Sequence, residues 1–93
     1  MTVNIMTVKL YAPWVHSLKE KRMIVKSLCE KLRSRFHVCV IESDAQDVHQ
    51  TIVISIVFPS LENAVADSTF EAIQSFLERS TDAEIVEILT ERR

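Results

Sequence analysis

The chain has 93 residues, 47% hydrophobic and 26% charged, with a formal net charge of −2. That length suits one small domain around one core, and no apolar run approaches the ~18 residues of a membrane span. Glycine is absent, which excludes Walker loops, Rossmann fingerprints, the GXXG loop of KH domains and the glycine-bearing motif of RNA-recognition domains.

In chain order, Met1 to Ile5 carries no basic region or small-residue cleavage site, so no secretory signal is expected, and the expected location is the cytoplasm. Val3 to Tyr11 alternates, with Met6, Val8 and Leu10 on one face, and predicts a strand. Pro13-Trp14 ends it. Ser17 and Glu20 have the S-x-x-E spacing of a capping box. From there to about Arg35, Leu18, Val25, Leu28, Cys29 and Leu32 recur at helical spacing, and Phe36 closes the stripe. His37 to about Ser43 predicts a second strand and Asp44-Ala45-Gln46-Asp47 a turn. Thr51 to Phe58 predicts a third strand, with Ile52, Ile54, Ile56 and Phe58 on one face. Pro59-Ser60 then opens a second helix, whose inward residues are Leu61, Val65, Phe70, Ile73, Phe76 and Leu77. Ala83 to Thr90 makes the last strand. Cys29 and Cys39 sit in apolar segments without metal-ligand spacing and read as buried, reduced thiols.

The order β-α-β-β-α-β over residues 1–93 predicts a single α+β domain of the ferredoxin-like type. Two helices would cover one face of a four-stranded antiparallel sheet of strand order 4-1-3-2. This topology brings the start of helix one, the hairpin of Glu42 to Gln50 and the end of helix two to one end of the domain.

Charge is divided along the chain. Residues 1–41 hold eight Lys or Arg against Glu20 and Glu30, and residues 42–93 hold three against eleven carboxylates. Such a division marks either a basic face that meets an anionic partner or two halves that pair with each other. Seven cations lie between residues 19 and 35, and Lys19, Arg22, Lys26 and Arg33 form one stripe on a helical wheel. Cations in a first helical turn oppose the macrodipole. The stripe is therefore either a solvated face or an anion-binding face, and phosphate contacts from it would bind RNA with little sequence preference. Trp14, Tyr11 and Phe58 are the only stacking candidates near the open sheet face. Lys21 falls on the buried side of the wheel, beside Leu28, and must snorkel out or meet a carboxylate.

That carboxylate is expected in Glu42, Asp44 or Asp47, which with Lys21 would form a structural ion-pair cluster. Glu42 and Asp44 would project to one side of their strand, and His49 lies nearby. No pair has the spacing that fixes a metal geometry, so no metal, cofactor or small-molecule substrate is expected. His16, His37 and His49 have no visible partner chain, and neither a phosphate loop nor a Cys-x-x-Cys is present. An enzyme is not expected.

Several of these segments match a known pattern. His16-Ser17-Leu18-Lys19-Glu20-Lys21-Arg22, Lys26-Ser27-Leu28, Leu32-Arg33-Ser34-Arg35-Phe36 and Glu42-Ser43-Asp44-Ala45-Gln46-Asp47 resemble the YlxP-like family of small bacterial proteins, a domain-of-unknown-function family. The family's motif falls on Ser17, Leu18, Lys19, Lys21, Arg22, Gln46 and Asp47. The resemblance implies a ferredoxin-like fold and, because family genes often neighbour translation and ribosome-maturation factors, work near the ribosome. It implies no catalytic residues. The lack of glycine and the mildly acidic balance depart from the family's pattern.

Two functions follow as expectations. The first is a non-enzymatic accessory module that contacts RNA or a ribosomal particle through helix one. The second is a protein-interaction or self-associating module, a homodimer through the open sheet face around Val53 and Val57 or through edge strand two with Val38 and Val40.

Overall fold

Alternation in the first strand carries Asn4, Met6, Val8 and Leu10 to one side and Val3, Ile5, Thr7 and Lys9 to the other. The first set is buried, so a layer must lie over it. The computed structural model describes residues 1–93 and supplies that layer as two helices. Its elements are β1 (Thr2–Tyr11), α1 (Leu18–Phe36), β2 (Cys39–Asp44), β3 (Thr51–Ser60), α2 (Asn63–Ser80) and β4 (Glu84–Arg92). The sheet is antiparallel in the order β2-β3-β1-β4, the ferredoxin-like α+β arrangement. Nineteen buried apolar residues form one core between sheet and helices, with Ile52, Ile54 and Ile56 fully enclosed at its centre. No helix is long and apolar enough to cross a membrane.

β3 runs two residues past its expected end. Pro59 and Ser60 pair with Val3 and Thr2 instead of opening a helix. Val3 exchanges both backbone hydrogen bonds with Arg93 on its other side, so the Pro59 nitrogen points away from β1. β2 begins only opposite Val57, so no ladder bond is lost at the proline. α2 therefore starts at Asn63 and its phase differs from the expected one. Leu61 is 85% exposed and Val65 is also exposed, while Ala66, Ile73 and Leu77 are buried, with Phe70 and Phe76 packed against the core.

Two bulges re-aim the strand ends. In β4 an extra residue between the Lys9–Glu87 and Leu10–Ile85 pairs lets both Ile85 and Ile88 face the core and leaves Val86 exposed. In β2 the register slips between Glu42, opposite Ile54, and Asp44, opposite Val53. Glu42 thus stays on the helix side and Asp44 turns to the open face. The expected same-side projection of these carboxylates is wrong for that reason.

In a chain without glycine, two ordinary residues take the left-handed backbone. His37 (φ 51°) terminates α1, and Ala45 (φ 54°) makes the β2–β3 turn. Ala45 is steadied by its amide donating to Asp44 Oδ1 at 2.7 Å, and by its own carbonyl, which accepts from Val48 N at 3.1 Å. A non-glycine residue costs about 1–2 kcal/mol in this region, so the surroundings must hold it there.

The cysteines separate. Cys29 is buried, and burial pushes its thiol above the usual range, with Arg33 opposing and Glu42 adding to the effect. Cys39 lies opposite Val57 on the open face and is exposed, against the expectation that both are buried. Alkylation of the native protein at pH 7 should modify one thiol, at Cys39, and denaturation should release the second. Mass spectrometry of the quenched reaction reads this directly, and rapid native labelling of Cys29 would contradict the packing.

A basic helix beside an acidic hairpin

Ser17 caps α1 with its Oγ accepting from Glu20 N at 3.1 Å. The return bond differs from a standard capping box, because the Glu20 carboxylate accepts from His16 N, one residue before the cap, at 3.1 Å. Gln50 ties the preceding loop to the hairpin, its amide donating to Pro13 O at 3.0 Å and to Val15 O at 3.4 Å. The start of α1 and the β2–β3 hairpin therefore share one end of the domain.

Lys21 is the joint between them. It is only 1% exposed, yet it carries an ammonium. Nζ donates to Ala45 O at 2.5 Å and to Val48 O at 2.7 Å, and it lies 2.9 Å from Glu42 Oε2. The Glu42 contact is coulombic, without a hydrogen-bond donor aligned on that oxygen. Gln46 adds a bond from its amide to Glu42 O at 3.2 Å, which closes the turn from outside. Asp44 is occupied by the Ala45 amide, and Asp47 is exposed and forms no salt bridge. Of the four residues expected in an ion-pair cluster, the structure brings together Lys21 and Glu42. The turn's backbone carbonyls take the places of the other two carboxylates. No three His, Cys, Asp or Glu side chains gather closely enough to hold a metal ion.

The remaining cations of α1 form two rows. One faces the free edge of β2, where Arg33 Nη2 donates to Val40 O at 2.8 Å. Lys19, Arg22 and Lys26 continue this row and are exposed, with no carboxylate in salt-bridge range. The second row, Lys31 and Arg35, faces α2. The Arg35 guanidinium lies 5.5 Å from the Phe76 ring centroid and 6.0 Å from that of Phe36. Helical-wheel reading found the first row, and missed that Arg33 is drawn to the sheet edge, a contact set by how α1 crosses β2. It also passed over the second row, although the four-residue spacing of Lys31 and Arg35 was visible.

Of the aromatic candidates, Phe58 is buried against Phe70, with ring centroids 5.2 Å apart, and offers no platform. Tyr11 lies on the open face of the sheet, and Trp14, 40% exposed, lies beside α1 and the end of α2. The open sheet face carries Ile5, Ile41, Val53, Val57 and Leu89 around a chain of hydroxyls, in which Ser55 Oγ bonds Ser43 Oγ at 2.7 Å and Thr7 Oγ1 at 3.2 Å. Val38 and Val40 are buried beneath the helices and do not line the outer edge of β2.

The sequence model of one family, described as "Protein of unknown function (DUF503)", matches residues 3–90. No curated protein matches the chain.

Proposed function

The chain belongs to the DUF503 family, whose description names no activity, and we propose that it is a non-enzymatic module that contacts RNA or a ribosomal particle in the cytoplasm. The row Lys19, Arg22 and Lys26 carries this reading. Three exposed cations stand together on one helix face with no carboxylate to neutralise them. Of the two carboxylates on α1, Glu20 accepts from His16 N and Glu30 pairs with none of the three cations, while Glu42 on the hairpin is taken by Lys21. Likeness to YlxP-like proteins supports the same direction, since that resemblance implies work near the ribosome. Binding of this kind is backbone-directed and weakens with salt.

Co-sedimentation with ribosomal subunits across a salt series tests it. Binding should appear at a few tens of millimolar salt and decline steeply above that. Arg22→Glu with Lys26→Glu should abolish it while circular dichroism and melting temperature stay near those of the parent. Arg33 is left out of this variant, because it also holds the edge of β2. Negligible RNA retention by the parent at low salt would defeat the reading.

A second reading is a homodimer, with another copy of the chain over the open sheet face. It is favoured by the exposed Ile41 and Leu89 beside the half-buried Ile5, Val53 and Val57. Pairing through β2 is disfavoured, because a docking strand would have to displace Arg33 from the Val40 carbonyl. Static light scattering separates the two, and a dimer that leaves RNA retention unchanged on charge reversal favours this reading over the first.

A further inference from the structure

The valley between α1 and α2 is lined differently at its two ends. Beside Trp14 it opens into a hollow of about 380 Å³ that reaches Met23 on one wall and Asp82 on the other. Ser27 and Lys31 line this hollow and also the shallower trough that runs on to Arg35 and Phe76, so the two are continuous. The first end is aromatic and apolar, with a carboxylate at its margin. The second is cationic and hydroxylated.

We infer that this valley holds a single-stranded RNA segment, with a base on the Trp14 indole and successive phosphates on Lys31 and Arg35. The inference rests on the RNA reading of α1 and gives it a substrate class and a second contact surface. The size of the hollow falls within the range of small-ligand sites. Trp14 is 40% exposed and Met23 66% exposed, an apolar surface that the fold itself leaves uncovered. Lys31 and Arg35 have no carboxylate in salt-bridge range. Four residues of helix separate them by about 6 Å along its axis, near the stride of an extended sugar–phosphate backbone.

The acidic residues decide between occupants. Asp82 lies at the Trp14 end and not between the cations. There a carboxylate would repel an acidic peptide, but it accepts hydrogen bonds from the exocyclic amino group of cytosine or adenine. Glu30, on the rim of the trough, lowers the local positive charge without approaching either cation closely enough to pair. A duplex could not enter, since its bases are stacked inside and cannot reach the indole.

Trp14 is the only tryptophan in the chain, so its fluorescence reports on this hollow alone. Titration with a ten-nucleotide oligoadenylate at low salt should quench it saturably. Stacking of one base is worth about 1–3 kcal/mol, so Trp14→Ala should weaken retention of the same oligonucleotide on a filter by about 5- to 150-fold. Lys31→Gln, alone and with Arg35→Gln, should weaken the quenching titration, and the single variant serves if the double one loosens the Phe76 contact. Oligouridylate, which lacks an exocyclic amino group, should bind more weakly. RNA retained by the parent with unchanged tryptophan emission would overturn the valley proposal and leave the Lys19–Lys26 row standing. No retention at all would overturn both. Equal quenching by polyglutamate would assign the valley to an acidic peptide instead.

Discussion

Lys21→Met should lower the stability of the protein by about 3–4 kcal/mol, the lower part of the range for breaking a buried ion pair. The loss comes from what the substitution leaves behind. Ala45 O and Val48 O lose their donor, and Glu42 is left beside a methyl group with no opposing charge. In a domain of this size such a loss lowers the melting temperature by roughly 15–25 °C. Glu42→Gln should cost much less, about 1 kcal/mol, because Nζ keeps both carbonyls. Exchanging the charges, Lys21→Glu with Glu42→Lys, should fail to restore stability, since the two carbonyls still require a donor from position 21. Thermal melts followed by circular dichroism check all three. A Lys21→Met melt within about 5 °C of the parent would show that the joint is not needed.

Asn4→Asp should be comparably damaging, and its cost should depend on pH. Asn4 is fully buried, and its Nδ2 donates at 3.0 Å to both Phe58 O and Ser60 Oγ, while Oδ1 has no partner. A carboxylate there loses both donated bonds and faces the Phe58 carbonyl. Burial favours the neutral acid, so the new group's pKa in the folded state rises above that of an unfolded aspartate. The folded state then binds the proton more tightly than the unfolded one. Stability therefore falls as pH climbs above the ordinary carboxylate range, and the ionisation penalty is absent below about pH 4. Urea titrations of parent and variant at pH 4 and pH 7 should show the gap between them narrowing at the lower pH. A gap of equal size at both would mean that water reaches Oδ1.

Asn4 also marks where periodicity was legible and went unread. The alternation that places Met6, Val8 and Leu10 inside continues backwards to position 4, so a polar residue on the buried face was visible in the sequence. Lys21 was legible in the same way, because its wheel position beside Leu28 requires an internal partner. What periodicity does not carry is a change of phase. The bulge at Ser43 turned Asp44 to the other face, and the extension of β3 through Ser60 shifted the register of α2, which exposed Leu61 and Val65. A single extra residue inverts every later side chain of a strand, and no composition rule announces it. The Arg33 contact with Val40 is of another kind. Those residues are seven apart in sequence, and only the crossing of helix over strand brings them together.

The place of β1 between β3 and β4 has a consequence for how the chain assembles. Its partners begin forty residues downstream at Thr51 and end at Arg92, so neither ladder can close locally. Contacts of such long sequence separation slow folding, because loop closure must precede the gain from pairing. On the ribosome, β1 emerges before β3 and β4, and it pairs with β4 only after that strand has left the tunnel. Until then an apolar strand waits with one edge open, which is the interval in which association with another chain is easiest.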